Sequence, residues 1–260
     1  MRPKKSLGQN FLKDEIILTK IVENGNISEN DIVIEIGPGT GNLTEKILEK
    51  NPKHLIVVEK DKGLSSLLKK KFDNKIQIIN KDILDCYNSF FFNEPIKIFG
   101  NLPYNISTKI LTSFIKIDDL KSRIKKLIFL FQKEVADRII AEENSKKYGR
   151  LSILTSWKMN KLKIADINPN CFYPKPKIWS TLIILIPKNN YKSLENIENL
   201  EHITNIFFNQ RRKMIKKPMR RLFKDYEEIA QKLEIDLNLR PQNITMKKYL
   251  EICKIYENLT

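Results

Sequence analysis

Asp31-Ile32-Val33-Ile34-Glu35-Ile36-Gly37-Pro38-Gly39-Thr40-Gly41 decides the fold. Residues 32–36 are apolar and mostly β-branched apart from Glu35, the composition of a strand buried on both faces. Three glycines spaced two apart then turn the chain sharply and let its backbone approach a ligand closely, since glycine has no Cβ. Further Ile- and Val-rich runs at 54–58, 76–79, 96–99 and 125–131 alternate with segments of helical character. That alternation predicts an α/β fold with a mostly parallel sheet covered on both faces.

The flanks complete the plan. Residues 1–13 are basic and polar, and Glu15 to Val22 carries apolar residues at helical spacing. Later apolar runs at 161–165 and 178–186 add strands, the last an edge or hairpin strand because Pro187 ends it. Residues 188–200 are polar and linker-like, and 201–260 shows helical periodicity without β-branched runs. Two domains are expected: 1–187, and a small all-α domain over 188–260.

The chemistry gathers at strand ends. The spacing Gly-x-Gly-x-Gly, with Gly37 and Gly39 nearest a ligand, differs from the dinucleotide fingerprint, so no pyrophosphate need be cradled. Glu59 follows the second run, 22 residues after Gly37, where an acid accepts the two hydroxyls of a ribose; the plain alternative is a strand end beside Lys60 and Asp61. Asp82 follows the third run and is placed to accept from an adenine amino group, or else to cap the next helix. Asn101-Leu102-Pro103-Tyr104 follows the fourth.

An exocyclic adenine nitrogen is a poor nucleophile because its lone pair is delocalised into the ring. The side-chain oxygen of Asn101 and the carbonyl of Leu102 could accept its two N–H bonds and free that lone pair. Pro103 stiffens the loop, and Tyr104 offers a ring for the base to stack on, worth ~1–3 kcal/mol. In this order the motifs point to methyl transfer from S-adenosylmethionine to an adenine amino group. The sulfonium already activates the methyl, so neither metal nor covalent nucleophile is required, and catalysis rests mainly on placement. In the proline-stiffened loop Asn170 to Lys177, Phe172 could close the other side of the base pocket or simply plug the core.

The 260 residues carry 47 Lys and Arg against 31 Asp and Glu, a formal charge of +16. A surplus of that size favours a polyanionic partner through counterion release. It is densest over residues 211–221, where Arg211, Arg212, Lys213, Lys216, Lys217, Arg220 and Arg221 are seven cations without one acid, a candidate RNA-binding surface. Phe208, Ile215, Met219 and Leu222 form the apolar stripe behind them, and Pro218 is expected to divide the stretch into two helices. Cys86, Cys171 and Cys253 are scattered, as fits reduced thiols, and His54 and His202 have no ligand-spaced neighbours, so no metal site is expected. No apolar stretch approaches the ~20 residues of a membrane span, and no signal segment follows the basic start, so a soluble, cytoplasmic protein is expected.

Lys5-Ser6-Leu7-Gly8-Gln9-Asn10-Phe11-Leu12, the Glu35–Gly41 turn and Asn101 through Thr108 closely resemble the KsgA/RsmA family of small-subunit ribosomal RNA adenine dimethyltransferases. Gln132–Ala136, Tyr148–Ser152, Phe172–Lys177 and Phe208–Lys213 resemble it too, so the likeness spans nearly the whole chain. It implies a Rossmann-like methyltransferase domain, a helical rRNA-binding domain, and dimethylation of two adjacent adenines in the 3′-terminal hairpin loop of 16S rRNA during small-subunit assembly. By residue matching it implies cofactor contacts at Asn10, Leu12, Gly37, Glu59, Asp82 and Asn101, and a base pocket lined by Asn101, Leu102, Tyr104 and Phe172. It also implies monomeric action. Lys81 stands where a glycine commonly precedes the acid, and Lys109 where proline is common; neither removes a ligand side chain. Three rival readings are a large-subunit rRNA dimethyltransferase of the macrolide-resistance type, a non-catalytic RNA-binding assembly factor, and a DNA adenine methyltransferase. Asn-Leu-Pro-Tyr, Gln132–Ala136 and the intact strand-end residues favour the small-subunit enzyme.

Overall fold

A buried run of β-branched residues ending in glycine produces a strand here as expected, and the rest of the sheet assembles around it. The computed structural model describes residues 3–4, 8–90 and 92–259, so Lys5-Ser6-Leu7 of the amino-terminal motif lies outside the described residues. The first half runs β1 (Phe11–Leu12), α1 (Glu15–Gly25), β2 (Ile32–Ile36), α2 (Asn42–Leu48), β3 (His54–Val58) and α3 (Lys62–Phe72). It continues through β4 (Gln77–Ile79), α4 (Ile83–Cys86), β5 (Ile96–Asn101), α5 (Ser107–Ile115), α6 (Leu120–Arg123) and β6 (Ile124–Gln132). Then come α7 (Lys133–Ile140), α8 (Arg150–Lys158), β7 (Met159–Ile167), β8 (Phe172–Tyr173) and β9 (Ser180–Pro187). Four helices close the chain: α9 (Ile197–Phe208), α10 (Lys216–Leu222), α11 (Tyr226–Lys232) and α12 (Met246–Glu257).

The chain forms two compact units, Met1–Ala136 with Asn160–Lys188, and Asp137–Met159 with Asn189–Thr260. This differs from the expected cut at 187, because residues 137–159 belong with the carboxy-terminal helices. The physical reason is α8, which is buried around most of its circumference and packs against α9 and α12. The expected linker is also shorter than 188–200, since α9 starts at Ile197 with Asn196 accepting from the Glu198 N–H at 2.8 Å.

In the first unit the sheet order is β4-β3-β2-β5-β6-β9-β7, with β4 through β6 parallel and β9 antiparallel to β6. Of the two expectations, edge or hairpin strand, the edge reading fails: β9 is an interior strand, between β6 and β7, the preceding strand of this sheet. Pro187 sits at its last position, where a missing N–H costs the ladder little, and the more exposed β7 takes the edge. β2 is buried at every position. Chain order reverses between β2 and β5, which opens a crevice at their carboxyl ends. At the opposite ends of the strands Asp31 binds Lys97 at 2.7 Å and Lys125 at 2.8 Å.

Candidate active site

The crevice is lined by residues that the sequence separates widely. Asn10, Leu12, Gly37, Gly39, Glu59, Asp82, Asn101, Leu102, Pro103 and Tyr104 all face one cavity, every one of them in the first unit. Four successive strands deliver the main chemistry: Gly37 follows β2, Glu59 follows β3, Asp82 follows β4, and Asn101 ends β5.

The glycine turn builds one wall. Gly37 has φ +65° with nothing within 4 Å of where a Cβ would stand, so the cavity comes down to bare backbone there. Gly39, at φ +58°, would bring a Cβ to 2.6 Å from the ring of Phe11, and so it lets the amino-terminal segment lie close over the turn. Asn42 fastens that segment by donating from Nδ2 to the carbonyl of Leu12 at 2.8 Å.

Glu59 is almost wholly buried, and its carboxylate accepts from the N–H of Asp61 at 2.8 Å and of Gly39 at 3.3 Å. Burial raises its pKa, outweighing those two bonds. Asp82 takes the helix-capping role that the sequence allowed, and it also lies on the cavity. It caps α4 by accepting from the Leu84 N–H at 3.0 Å, and it borders the cavity while pairing with Lys60 at 2.8 Å. Burial pushes its carboxyl up, but Lys60 and Leu84 together hold it below the ordinary value.

Asn101 donates from Nδ2 to the carbonyl of Asn10 at 2.6 Å, which turns its side-chain oxygen to the role of acceptor. The loop after it is self-braced, with the Ile106 N–H on the Pro103 carbonyl at 3.1 Å and the Ser107 hydroxyl on the Tyr104 carbonyl at 3.2 Å. The Tyr104 hydroxyl meets the Ser180 hydroxyl at 2.6 Å, fixing the direction of the ring, and burial raises the phenol pKa.

Phe172 stands apart from this set. Its ring is 2% exposed and belongs to the hydrophobic core, so it is not a lining residue of the cavity. Strand alternation explains this: β8 pairs with β1, pointing Phe172 inward and leaving Tyr173 outside.

Glu35 is a member of the site that sequence reading did not single out. It lines the cavity at 1% exposure and accepts from the Thr44 hydroxyl at 2.6 Å, and burial lifts its pKa to about 8. The visible signal was an acid inside an otherwise apolar strand. Ser180 gave none, being 76 positions from its partner.

The fit to S-adenosylmethionine can be judged from this donor set. Bare backbone at Gly37, a buried acceptor at Glu59 and a second acid at Asp82 suit a ligand with a small zwitterionic end, a vicinal diol and an aromatic amine. Among the described residues no group of three or more His, Cys, Asp or Glu could hold a metal ion, and no helix is long and apolar enough to cross a membrane.

The basic cluster lies in the second unit. Arg212, Lys213, Lys216, Lys217, Arg220 and Arg221 are exposed, Ile215 and Met219 are buried behind them, and Arg211 is half-buried with its guanidinium on the Ser145 carbonyl at 3.3 Å. Pro218 does not split two helices. It sits in the first turn of α10, where its missing N–H has no intrahelical partner to lose, and residues 211–213 run as a turn and bend outside any helix.

Comparison with known proteins bears on this site. The family model described as ribosomal RNA adenine dimethylase matches residues 1–259. The ribosomal RNA small subunit methyltransferase A of Pelagibacter ubique is 53% identical over 259 residues, covering 100% of this chain and 98% of its own. A dimethyladenosine transferase from Plasmodium falciparum superposes with a TM-score of 0.77 at 24% identity, over 95% of this chain and 98% of its own. The 23S rRNA methyltransferase ErmE gives 0.70 at 20% identity, over 95% and 99%. Both structures are likenesses of fold.

Proposed function

Since this chain belongs to the ribosomal RNA adenine dimethylase family, we propose that it moves methyl groups from S-adenosylmethionine to the N6 amino groups of two adjacent adenosines in the 3′-terminal hairpin loop of 16S rRNA. The observation that carries this is the convergence of Gly37, Glu59, Asp82 and Asn101 from four strand ends on one cavity. The enzyme acts as a monomer, in the cytoplasm, on small subunits still being assembled.

When bound, S-adenosylmethionine supplies a methyl group on a positively charged sulfur, ready for displacement. Gly37 would leave room for its amino-acid end, Gly39 lets the amino-terminal segment pack against the turn, and Asn10 and Leu12 of that segment would close over the ligand. Glu59 would accept from the ribose, using lone pairs that the Gly39 and Asp61 N–H groups leave open, and Asp82 would accept from the adenine amine.

The target adenosine is extruded from its loop and stacks on Tyr104, whose tilt Ser180 fixes. Asn101 Oδ1 and the Leu102 carbonyl accept the two N–H bonds of N6. That arrangement draws the nitrogen toward tetrahedral geometry and directs its lone pair at the methyl. Each transfer would form an N–CH3 bond as the sulfonium–methyl bond breaks, leaving S-adenosylhomocysteine and releasing one N6 proton to water; after the first, a single N–H remains for one of the two acceptors, and a second donor molecule supplies the second methyl. Phe172 reaches the base only by leaving its core position, so Tyr104 is the stacking face of the resting site. The basic residues from Arg211 to Arg221 bind rRNA phosphates.

The large-subunit alternative is less favoured, because full-length identity of 53% is to a small-subunit methyltransferase, whereas the likeness to ErmE is one of fold. The test is transfer of labelled methyl from S-adenosylmethionine to immature small subunits and, separately, to unmodified large-subunit RNA. Mass spectrometry of the digests should find dimethyladenosine in the small-subunit hairpin. Label in large-subunit RNA alone, or in neither, overturns the proposal.

A further inference from the structure

Between the strands β8 and β9 the first unit exposes more large apolar surface than a loop needs. Tyr173 is 60% exposed, Ile178 41% and Trp179 46%, all within seven residues. Lys175 and Lys177 alternate with them and are exposed as well. We propose that Tyr173 and Trp179, with these two lysines, form a stacking platform for the single-stranded RNA that flanks the target adenosine. The inference rests on the adenosine-methylation reading above and extends it to the neighbouring nucleotides.

Both ends of the platform are tied to the cavity. Tyr173 is the strand partner of Phe11, which lines it, and Ser180, next to Trp179, holds the Tyr104 hydroxyl at 2.6 Å. The Trp179 carbonyl accepts from the Lys133 N–H at 2.9 Å, so the backbone under the indole is pinned while the ring stays out. Pro174 and Pro176 fix φ at alternate positions, and each aromatic side chain has only two rotatable bonds. Little freedom remains to be lost when a base stacks.

Charge selects the partner. No acid occurs between Asp166 and Glu195, so from Tyr173 to Trp179 the segment presents two aromatic rings, Ile178 and two cations, with no negative charge of its own. Aromatic rings interleaved with lysines match alternating bases and phosphates of a single strand, whereas an apolar protein surface offers nothing to Lys175 and Lys177.

Intrinsic fluorescence tests this on the full chain. The protein has two tryptophans, and Trp157 is only 3% exposed, so quenching by added RNA reports on Trp179. The probe is a single-stranded oligoadenylate of about ten nucleotides, within the span that such surfaces cover. Saturating RNA should quench the emission, and Trp179→Ala should abolish the change and raise Kd about tenfold, the loss expected for one stacked base. Trp179→Phe should keep Kd within about twofold, and cofactor affinity by calorimetry should be the same in all three proteins. Unquenched emission, or Trp179→Ala binding RNA as wild type does, overturns the platform. Methyl transfer by wild type to immature small subunits reads the parent proposal separately: wild-type transfer with no change of KM in Trp179→Ala removes the platform alone.

Discussion

The side-chain amide of Asn101 donates to the main-chain carbonyl of Asn10 at 2.6 Å, joining residues 91 positions apart. The bond commits Nδ2 of Asn101 and leaves Oδ1 as the acceptor of a residue that lines the cavity. It predicts that Asn101→Ala lowers kcat by about two to three orders of magnitude, the scale of losing one positioned polar group at a reacting centre. Cofactor affinity should change by less than about tenfold. Single-turnover transfer with separate calorimetry distinguishes the two, and an unchanged kcat would remove Asn101 from the chemistry.

Glu59 should behave the opposite way. Glu59→Ala removes the acceptor assigned to the ribose and leaves the N–H groups of Gly39 and Asp61 without their partner. S-adenosylmethionine should then bind at least about tenfold more weakly, as costs of about 1–3 kcal/mol for a missing buried partner imply. Titration calorimetry giving the wild-type Kd contradicts the assignment.

Glu35 makes stability depend on pH. Its carboxyl is held neutral to about pH 8 in the folded protein and titrates near 4.5 when unfolded, so the folded state carries the extra proton between those values. Stability contributed by the neutral group is complete below the lower value and is lost as pH rises toward the higher. Glu35→Gln keeps an acceptor for Thr44 without that titration. From about pH 5 to about pH 8 its Tm should gain on that of wild type by roughly several degrees. Parallel melting curves across this window exclude the effect.

The exposed cations of the second unit should set the salt dependence of RNA binding. Reversing Arg212 and Lys213 to Glu should weaken affinity for immature small subunits and lower the slope of log K against log salt by about 1–2, close to one for each phosphate no longer bound. Filter binding between roughly 50 and 200 mM salt, the range where such pairing dominates, reads both quantities. The same slope in variant and wild type excludes this cluster as the phosphate-binding surface.

Much of the first unit was legible because its signals are local. The runs at 54–58, 76–79 and 96–99 became β3, β4 and the body of β5, and the strand-end positions of Glu59, Asp82 and Asn101 followed from those runs. What stayed hidden depends on pairing between distant segments. Pro187 suggested an edge, but strand order is set by what packs on both sides of β9, which no local pattern records. Phe172 looked available because it neighbours prolines; its inward side is fixed by register with Leu12, 160 positions away. α8 lies in sequence within the sheet-forming part of the chain, yet most of its circumference, polar Ser152 and Thr155 included, is buried, and it packs against later helices.

That last feature bears on how the protein is made. α8 ends at Lys158, while the helices it packs against begin at Ile197 and Met246. At a synthesis rate of about 5–20 residues per second, its apolar faces wait on the order of 4–18 s for α12 to emerge. Meanwhile β7 and β9 can already join the sheet, because nothing beyond Lys188 belongs to that unit. The nascent chain thus completes its cavity first and carries an unsheltered helix through the rest of translation. A fragment ending near residue 187 would keep that helix permanently uncovered, so trimming the chain back to its cavity-bearing unit should trade a smaller protein for a stickier one.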